Sequence, residues 1–180
     1  MQSSPHRYTR TAIALHWLMA VGLIGAIGMG WWISELPMSV QRLKLINWHK
    51  WAGIALLSLA LVRLVWRLSH RPPPEPPMPA WQAKAAAAAH GLLYVLMFLV
   101  PLLGWAYSNA AGFPVVWFGV LPLPDFVGTD KELAPTLKGL HKIAAWTLAV
   151  LILAHLGAAL KHQFLDRDRL LARMGLGRSD

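Results

Sequence analysis

The sequence predicts an all-α integral membrane protein, a four-helix bundle with both termini cytoplasmic. Three observations carry that expectation: four long apolar segments, a 56% hydrophobic composition with a mean hydropathy of +0.44, and an uneven distribution of Lys and Arg. So high an apolar fraction is unusual for a water-soluble domain, although 180 residues alone would allow one. A helix needs about 20 apolar residues to cross a bilayer. Segments of that kind run from Ala12 to Ile33, Trp48 to Trp66, Ala86 to Tyr107 and Leu140 to Leu160.

The first segment reads as a retained span, because its apolar stretch exceeds the roughly 7–15 residues of a signal-peptide core and no small-residue cleavage site follows. The second leads into Arg71-Pro-Pro-Pro-Glu-Pro-Pro-Met-Pro79, six prolines in nine residues. Such a run cannot be helical and favours an extended, semi-rigid connector. The third is followed by Gly112-Phe-Pro-Val-Val-Trp-Phe-Gly-Val-Leu-Pro-Leu-Pro124, apolar yet broken by Gly and Pro. Irregular backbone cannot face lipid, so this loop is expected at the outer interface or as a cap on the bundle. The fourth segment returns the chain to its starting side. With no internal repeat, residues 1–180 read as one domain.

Eleven basic residues fall on one side: Arg7, Arg10, Arg63, Arg67, Arg71, Lys84, Lys161, Arg167, Arg169, Arg173 and Arg178. Six fall on the other: Arg42, Lys44, Lys50, Lys131, Lys138 and Lys142. Positive charge accumulates on the cytoplasmic side of membranes, which places both termini there. The net charge of +9 is therefore mainly a topology signal; no nucleic-acid-reading motif surrounds it.

The chain has no cysteine. That excludes disulfides, thiolate zinc sites, Fe–S clusters, thiolate-ligated haem and covalently attached haem. Histidine is the main ligand chemistry left. His16, His49, His90, His141 and His155 lie within the spans, His162 lies at the cytoplasmic end of the last, and His6 and His70 lie outside. Ionisable residues inside spans are rare and point to function, and five in four spans exceed what packing alone explains.

His141 and His155 are fourteen residues apart. At 100° and 1.5 Å per residue they return to within about 40° of one face and stand about 21 Å apart, so both point into the bundle at opposite depths. His49 enters its span from the outer side, as His141 does, whereas His16 shares the cytoplasmic half with His155. The pairs His49/His141 and His16/His155 would each set two neutral imidazoles across a flat cofactor. Haem b fits, needing no thioether link, so two haems are expected. Zinc usually takes three or four protein ligands; structural or proton-relay histidines are the other alternative. Arg63 follows His49 by fourteen residues and shares the depth of the inner pair. Two readings are open for it: a counterion for a haem propionate, or snorkelling to the surface with Arg67. Most of the tryptophans lie near span ends, where an aromatic belt is expected.

Ala14-Leu-His-Trp-Leu18, Asn47-Trp-His49 with Arg63, the Pro-rich inner loop, His90 with Pro101-Leu-Leu-Gly104, Gly112-Phe-Pro114, Trp117-Phe-Gly119, Leu140-His141, His155 and His162 occur in a telling order. Through them the chain resembles, over nearly its whole length, bacterial cytochromes b561 of the di-haem superoxide oxidase type. The resemblance implies a bacterial inner membrane protein in which His16 and His155 ligate the cytoplasmic-side haem iron and His49 and His141 the outer one. It further implies electron transfer from superoxide outside, through both haems, to ubiquinone in the bilayer. Relatives with a similar core serve as cytochrome b subunits of hydrogenases and formate dehydrogenases, so an electron-transfer subunit docking a redox partner protein is the second reading. A cofactor-free transporter is a third, which no inverted repeat or broken helix pair recommends.

Roles follow for the remaining residues. Bis-His irons have no open position, which favours outer-sphere transfer over oxygen activation. Lys50 and Lys142, each directly after a proposed ligand and with Lys138, Arg42 and Lys44 nearby, are expected to steer the superoxide anion, unless they are ordinary solvated charges. His162, seven residues after His155 and about 10 Å nearer the cytoplasm, suits hydrogen bonding to a quinone carbonyl and proton donation, or else is an interface histidine. His90 is placed beside the quinone or a propionate, and is the spare ligand should His16 not serve.

Overall fold

Thr9 starts the first helix: its hydroxyl accepts the Ala12 backbone N–H at 3.2 Å, satisfying one of the donors a helix start leaves free. The computed structural model describes residues 7–74, 78–168 and 170–176. His6, Arg169, Arg178 and positions 75–77 of the Pro-rich loop lie outside the described residues. Helix α1 spans Arg10–Glu35. After Pro37, Ser39 caps α2, Val40–Ser69, by accepting the Arg42 N–H at 3.2 Å. Helix α3, Ala80–Ala110, begins directly after Pro79, and α4 spans Leu133–Lys161. A π-helical turn, His162–Asp166, continues α4; Arg167 then takes a left-handed φ of 56° and turns the chain into the short α5, Leu170–Arg173.

The four long helices outrun the apolar segments, most clearly at Val40, Ala80 and Leu133. Hydropathy marks the stretch that meets lipid, whereas helical hydrogen bonding continues into polar flanks until Pro or a left-handed Gly ends it. Pro37, Pro79 and Gly112, with φ of 77°, are those stops.

Four helices are each long and apolar enough to cross a membrane, and only 11% of the most apolar stretch of each is buried. Val21, Val65 and Leu153 stand outward, more than half exposed. A surface of this kind needs lipid as its solvent. The helices pack as an up-and-down bundle, α1 on α2, α2 on α3 and α3 on α4. Two small clusters form its core. Met19, Ala60 and Met97 make one, with Tyr94 and Leu56 packed against it; Leu96, Ala144 and Leu148 make the other. Leu148 is 0% exposed and lies seven residues from both His141 and His155, about 10 Å along the helix from each.

One end of the bundle, the terminal end, holds the start of α1 and the end of α4. There α5 and its flank fold back: the Trp17 indole donates to the Met174 carbonyl at 3.0 Å, and the Arg173 guanidinium to the Pro74 carbonyl at 2.6 Å. The other end is covered by the loop after α3. Part of it pairs as a hairpin, β1 (Val116–Trp117) against β2 (Leu121–Pro122), turned by Phe118 and Gly119 at φ 50° and 74°. Trp51 on α2 anchors it, donating to the Val116 carbonyl at 2.7 Å.

Candidate functional site: two levels of inward histidines

Fourteen residues separate a marked pair on every long helix: His16 and Gly30 on α1, His49 and Arg63 on α2, His90 and Gly104 on α3, His141 and His155 on α4. Because the helices alternate in direction, these positions gather at two levels, one near each end of the bundle.

At the loop end, His49 and His141 face one another with ring centres 6.2 Å apart and planes at 81°. Gly30 and Gly104 back them. A Cβ on Gly30 would lie 3.1 Å from His49 Cε1, and one on Gly104 would lie 3.0 Å from His141 Cε1 and 3.1 Å from its Nδ1. A helical Gly costs about 1 kcal/mol relative to Ala, so both positions favour the imidazole over local helix stability. The His141 Nδ1–H donates to the Val100 carbonyl at 2.9 Å. A carbonyl can only accept, so the hydrogen sits on Nδ1 and Nε2 presents its lone pair, the tautomer a metal-ligating histidine needs.

At the terminal end, His16 and His155 are again 6.2 Å apart, with planes at 67°. His90 stands nearer to His155, at 5.4 Å. Arg63 Nη2 donates to His16 Nδ1 at 3.1 Å, so Arg63 faces into the bundle. Among the described residues no glycine opens this level; three imidazoles and a guanidinium gather there.

Two imidazoles on opposite sides of one metal, each bonded at about 2.0 Å, have ring centres about 6 Å apart. The separation of His49 from His141 and of His16 from His155 matches that requirement; the shorter His90–His155 separation does not. With the glycine cradle and the Nε2 lone pair of His141, the donor set suits a haem iron held by two imidazoles.

The other anticipated residues lie apart. His162 Nδ1 is 2.6 Å from Asp168 Oδ2 and 3.2 Å from Asp166 Oδ2, while Lys161 holds Asp166 at 2.6 Å. Lys142 is exposed and lines a groove of about 530 Å³ on the outward face of α3 and α4, with Leu92, Trp146 and Thr147. Lys50 is half-buried: its Nζ donates to Ser108 Oγ at 3.2 Å and to the Phe113 and Pro114 carbonyls at 3.2 and 3.3 Å. The Ser108 hydroxyl also donates to the Phe113 carbonyl, and the Asn109 amide donates to Asp125 in the same loop. Lys50 therefore fastens the covering loop to α2. Lys50→Met should remove about 1–3 kcal/mol of charged hydrogen bonding. The expected result is several-fold faster amide hydrogen exchange across Phe113–Trp117 in hydrogen–deuterium exchange mass spectrometry; unchanged exchange there would refute the fastening role.

Gly30, Gly104, Tyr94, Ser108 and Asp168 are contributors that sequence reasoning missed. The two glycines did carry a signal, lying fourteen residues after His16 and His90, the interval that joins His141 to His155. The others meet their partners only through the folded chain.

Four membrane spans, two levels of paired imidazoles and no thiol define a membrane cytochrome of the b type. The chain belongs to the prokaryotic cytochrome b561 family, which it matches over residues 7–177. It is 35% identical over 181 residues to cytochrome b561 homolog 2 of Escherichia coli (strain K12), covering 98% of this chain and 95% of that protein. To cytochrome b561 homolog 1 of the same organism it is 34% identical over 178 residues, covering 94% and 97% respectively. It is also 31% identical over 174 residues to the probable superoxide oxidase CybB of Yersinia pestis, covering 93% and 95%. Membership makes it a bacterial membrane protein of electron transfer with haem b as its cofactor.

Proposed function

We propose that the protein oxidises superoxide on the outer face of the bacterial inner membrane and reduces ubiquinone within it. Two superoxide anions, one quinone and two protons give two dioxygen molecules and one quinol. The observation that carries this reading is the pair of matched histidine sites, each 6.2 Å across, one near each end of the bundle. Superoxide as donor is supported by the name of the Yersinia pestis relative.

In this reading the terminal end is cytoplasmic, as the basic residues favour. His49 and His141 hold the outer haem and His16 and His155 the inner one. Haem b bound at the two levels supplies reversible one-electron chemistry between the faces of the membrane. The Leu148 cluster keeps the levels dry and apart. Lys50 under the covering loop and Lys142 on the outward face of α4 contribute positive charge at the loop end, with Lys138, Arg42 and Lys44, raising the local concentration of a small anion. His162 serves the quinone. An imidazolium that donates Nδ1–H to Asp168 presents Nε2–H to a quinone carbonyl oxygen, delivers that proton and is left neutral with its hydrogen on Nδ1. His90, beside His155, borders the inner haem.

The test is to add a superoxide pulse to the purified oxidised protein with a short-chain ubiquinone. Quinol should form at one per two superoxide consumed. Haem bands that dithionite reduces but superoxide does not would overturn the reading and favour an electron-transfer subunit. His162→Ala should slow quinol formation by about 10²-fold, the usual range for a lost acid–base group, with both haems retained by absorbance. Loss of a haem instead would show His162 to be a ligand.

A further inference from the structure

Two guanidiniums share one tyrosine near the terminal-end histidines. Arg63 Cζ lies 5.5 Å and Arg67 Cζ 5.6 Å from the centre of the Tyr94 ring. The arginines are four residues apart, one turn of α2, and therefore on one face. Tyr94 packs against the cluster of Met19, Ala60 and Met97. Arg67, exposed at the end of α2, thus reaches back to a ring that packs on the core. Among the described residues, the ion-paired carboxylates are Asp166 and Asp168, held by Lys161 and His162. Arg63, half-buried at the level of His16, calls for an anion, and Arg67 stands one turn nearer the helix end on the same face.

The hydrogen bond to His16 sharpens the requirement. A guanidinium only donates, so His16 Nδ1 is the acceptor facing Arg63. An imidazole that gives Nε2 to a metal carries its hydrogen on Nδ1. When His16 serves as a ligand, Arg63 needs another acceptor within its reach. We propose that Arg63 and Arg67, held against Tyr94, form a clamp for the two propionate carboxylates of the haem that His16 and His155 ligate. Planar guanidiniums bind carboxylates in a bidentate fork, and the shared ring limits the freedom each arginine would lose on binding.

The clamp rests on the assignment of His16 and His155 as haem ligands, and one experiment separates the two claims. Protein made in haem-deficient cells is reconstituted with haem b or with its dimethyl ester, whose carboxylates are masked. The readouts are haem per chain and the absorbance bands that His155→Ala removes. Wild type should fill the terminal-end site at least tenfold more weakly with the ester than with haem b. Arg67→Gln should reduce that preference, Arg63→Gln with Arg67→Gln should abolish it, and Arg67→Lys should retain part of it. The loop-end haem reports folding in each sample; if the double variant holds neither haem, Arg67→Gln alone decides. Equal uptake of diacid and ester by wild type, or full discrimination by Arg67→Gln, overturns the clamp, and leaves an anionic lipid headgroup as the partner of these arginines. Unchanged haem content in His155→Ala overturns the ligand assignment instead.

Discussion

His141→Ala and His155→Ala should each yield protein with one haem per chain instead of two, and each should remove a different set of absorbance bands. The imidazoles of each pair face across 6.2 Å. Losing one ring would leave one of the two imidazoles that would hold the haem, and a hole beside it. The two losses should be independent, because the Leu148 layer lies between the levels and the helix span between His141 and His155 is about 21 Å. His155→Ala carries one added consideration: His90, at 5.4 Å from the lost ring, remains as an imidazole near His16. A weak, spectrally altered haem at the terminal end would be its signature, and the double change with His90→Ala should remove it. Pyridine haemochromogen assay of the purified variants measures the stoichiometry. Two haems retained in His141→Ala would contradict the loop-end pairing.

Gly104→Val should empty the loop-end site without touching any ligand. The added Cβ alone would sit 3.0 Å from His141 Cε1 and 3.1 Å from its Nδ1, and valine adds two further methyls to that Cβ. His141 would have to turn away, breaking its Nδ1–H bond to the Val100 carbonyl and losing the orientation of Nε2. Overpacking of this kind costs about 1–3 kcal/mol in a core; here the strain falls on a ligand, so the expected result is loss of the loop-end haem with the terminal-end haem retained. Gly104→Ala should give a milder form, a weakened site. Gly91, on the same helix, has nothing within 4 Å of its would-be Cβ, so Gly91→Ala is the control that should change neither haem. Wild-type haem content in Gly104→Val would refute the cradle.

The four spans were legible because lipid selects for hydropathy, and that selection is written residue by residue. The two levels were legible because helical periodicity converts the interval between His141 and His155 into a depth and a face. The same arithmetic placed Arg63 at the depth of the inner pair. Helix ends were not legible: the polar flanks of α2 and α4 keep their backbone hydrogen bonds beyond the lipid-facing stretch, and hydropathy does not register those bonds. Lys50 illustrates a second limit. Two of its acceptors are the Phe113 and Pro114 carbonyls, 63 and 64 residues away, and a backbone carbonyl leaves no residue-type signature. The sequence left two readings, a charge that steers an anion or an ordinary solvated one; the fold adds the fastening of a loop. His162 shows the same limit, since Asp168 reaches it only through the π-helical turn and the left-handed Arg167. The covering loop was expected at the interface or over the bundle, but its hairpin register depends on Phe118 taking a positive φ, which its residue type does not signal.

An optical redox titration of the purified protein, with haem counted in the same sample, tests the two-level arrangement most directly. Two haem b per chain that titrate as two one-electron steps, one step lost in His141→Ala and the other in His155→Ala, is the expected result. A single haem per chain in the wild type, or one step that both substitutions abolish together, would contradict it.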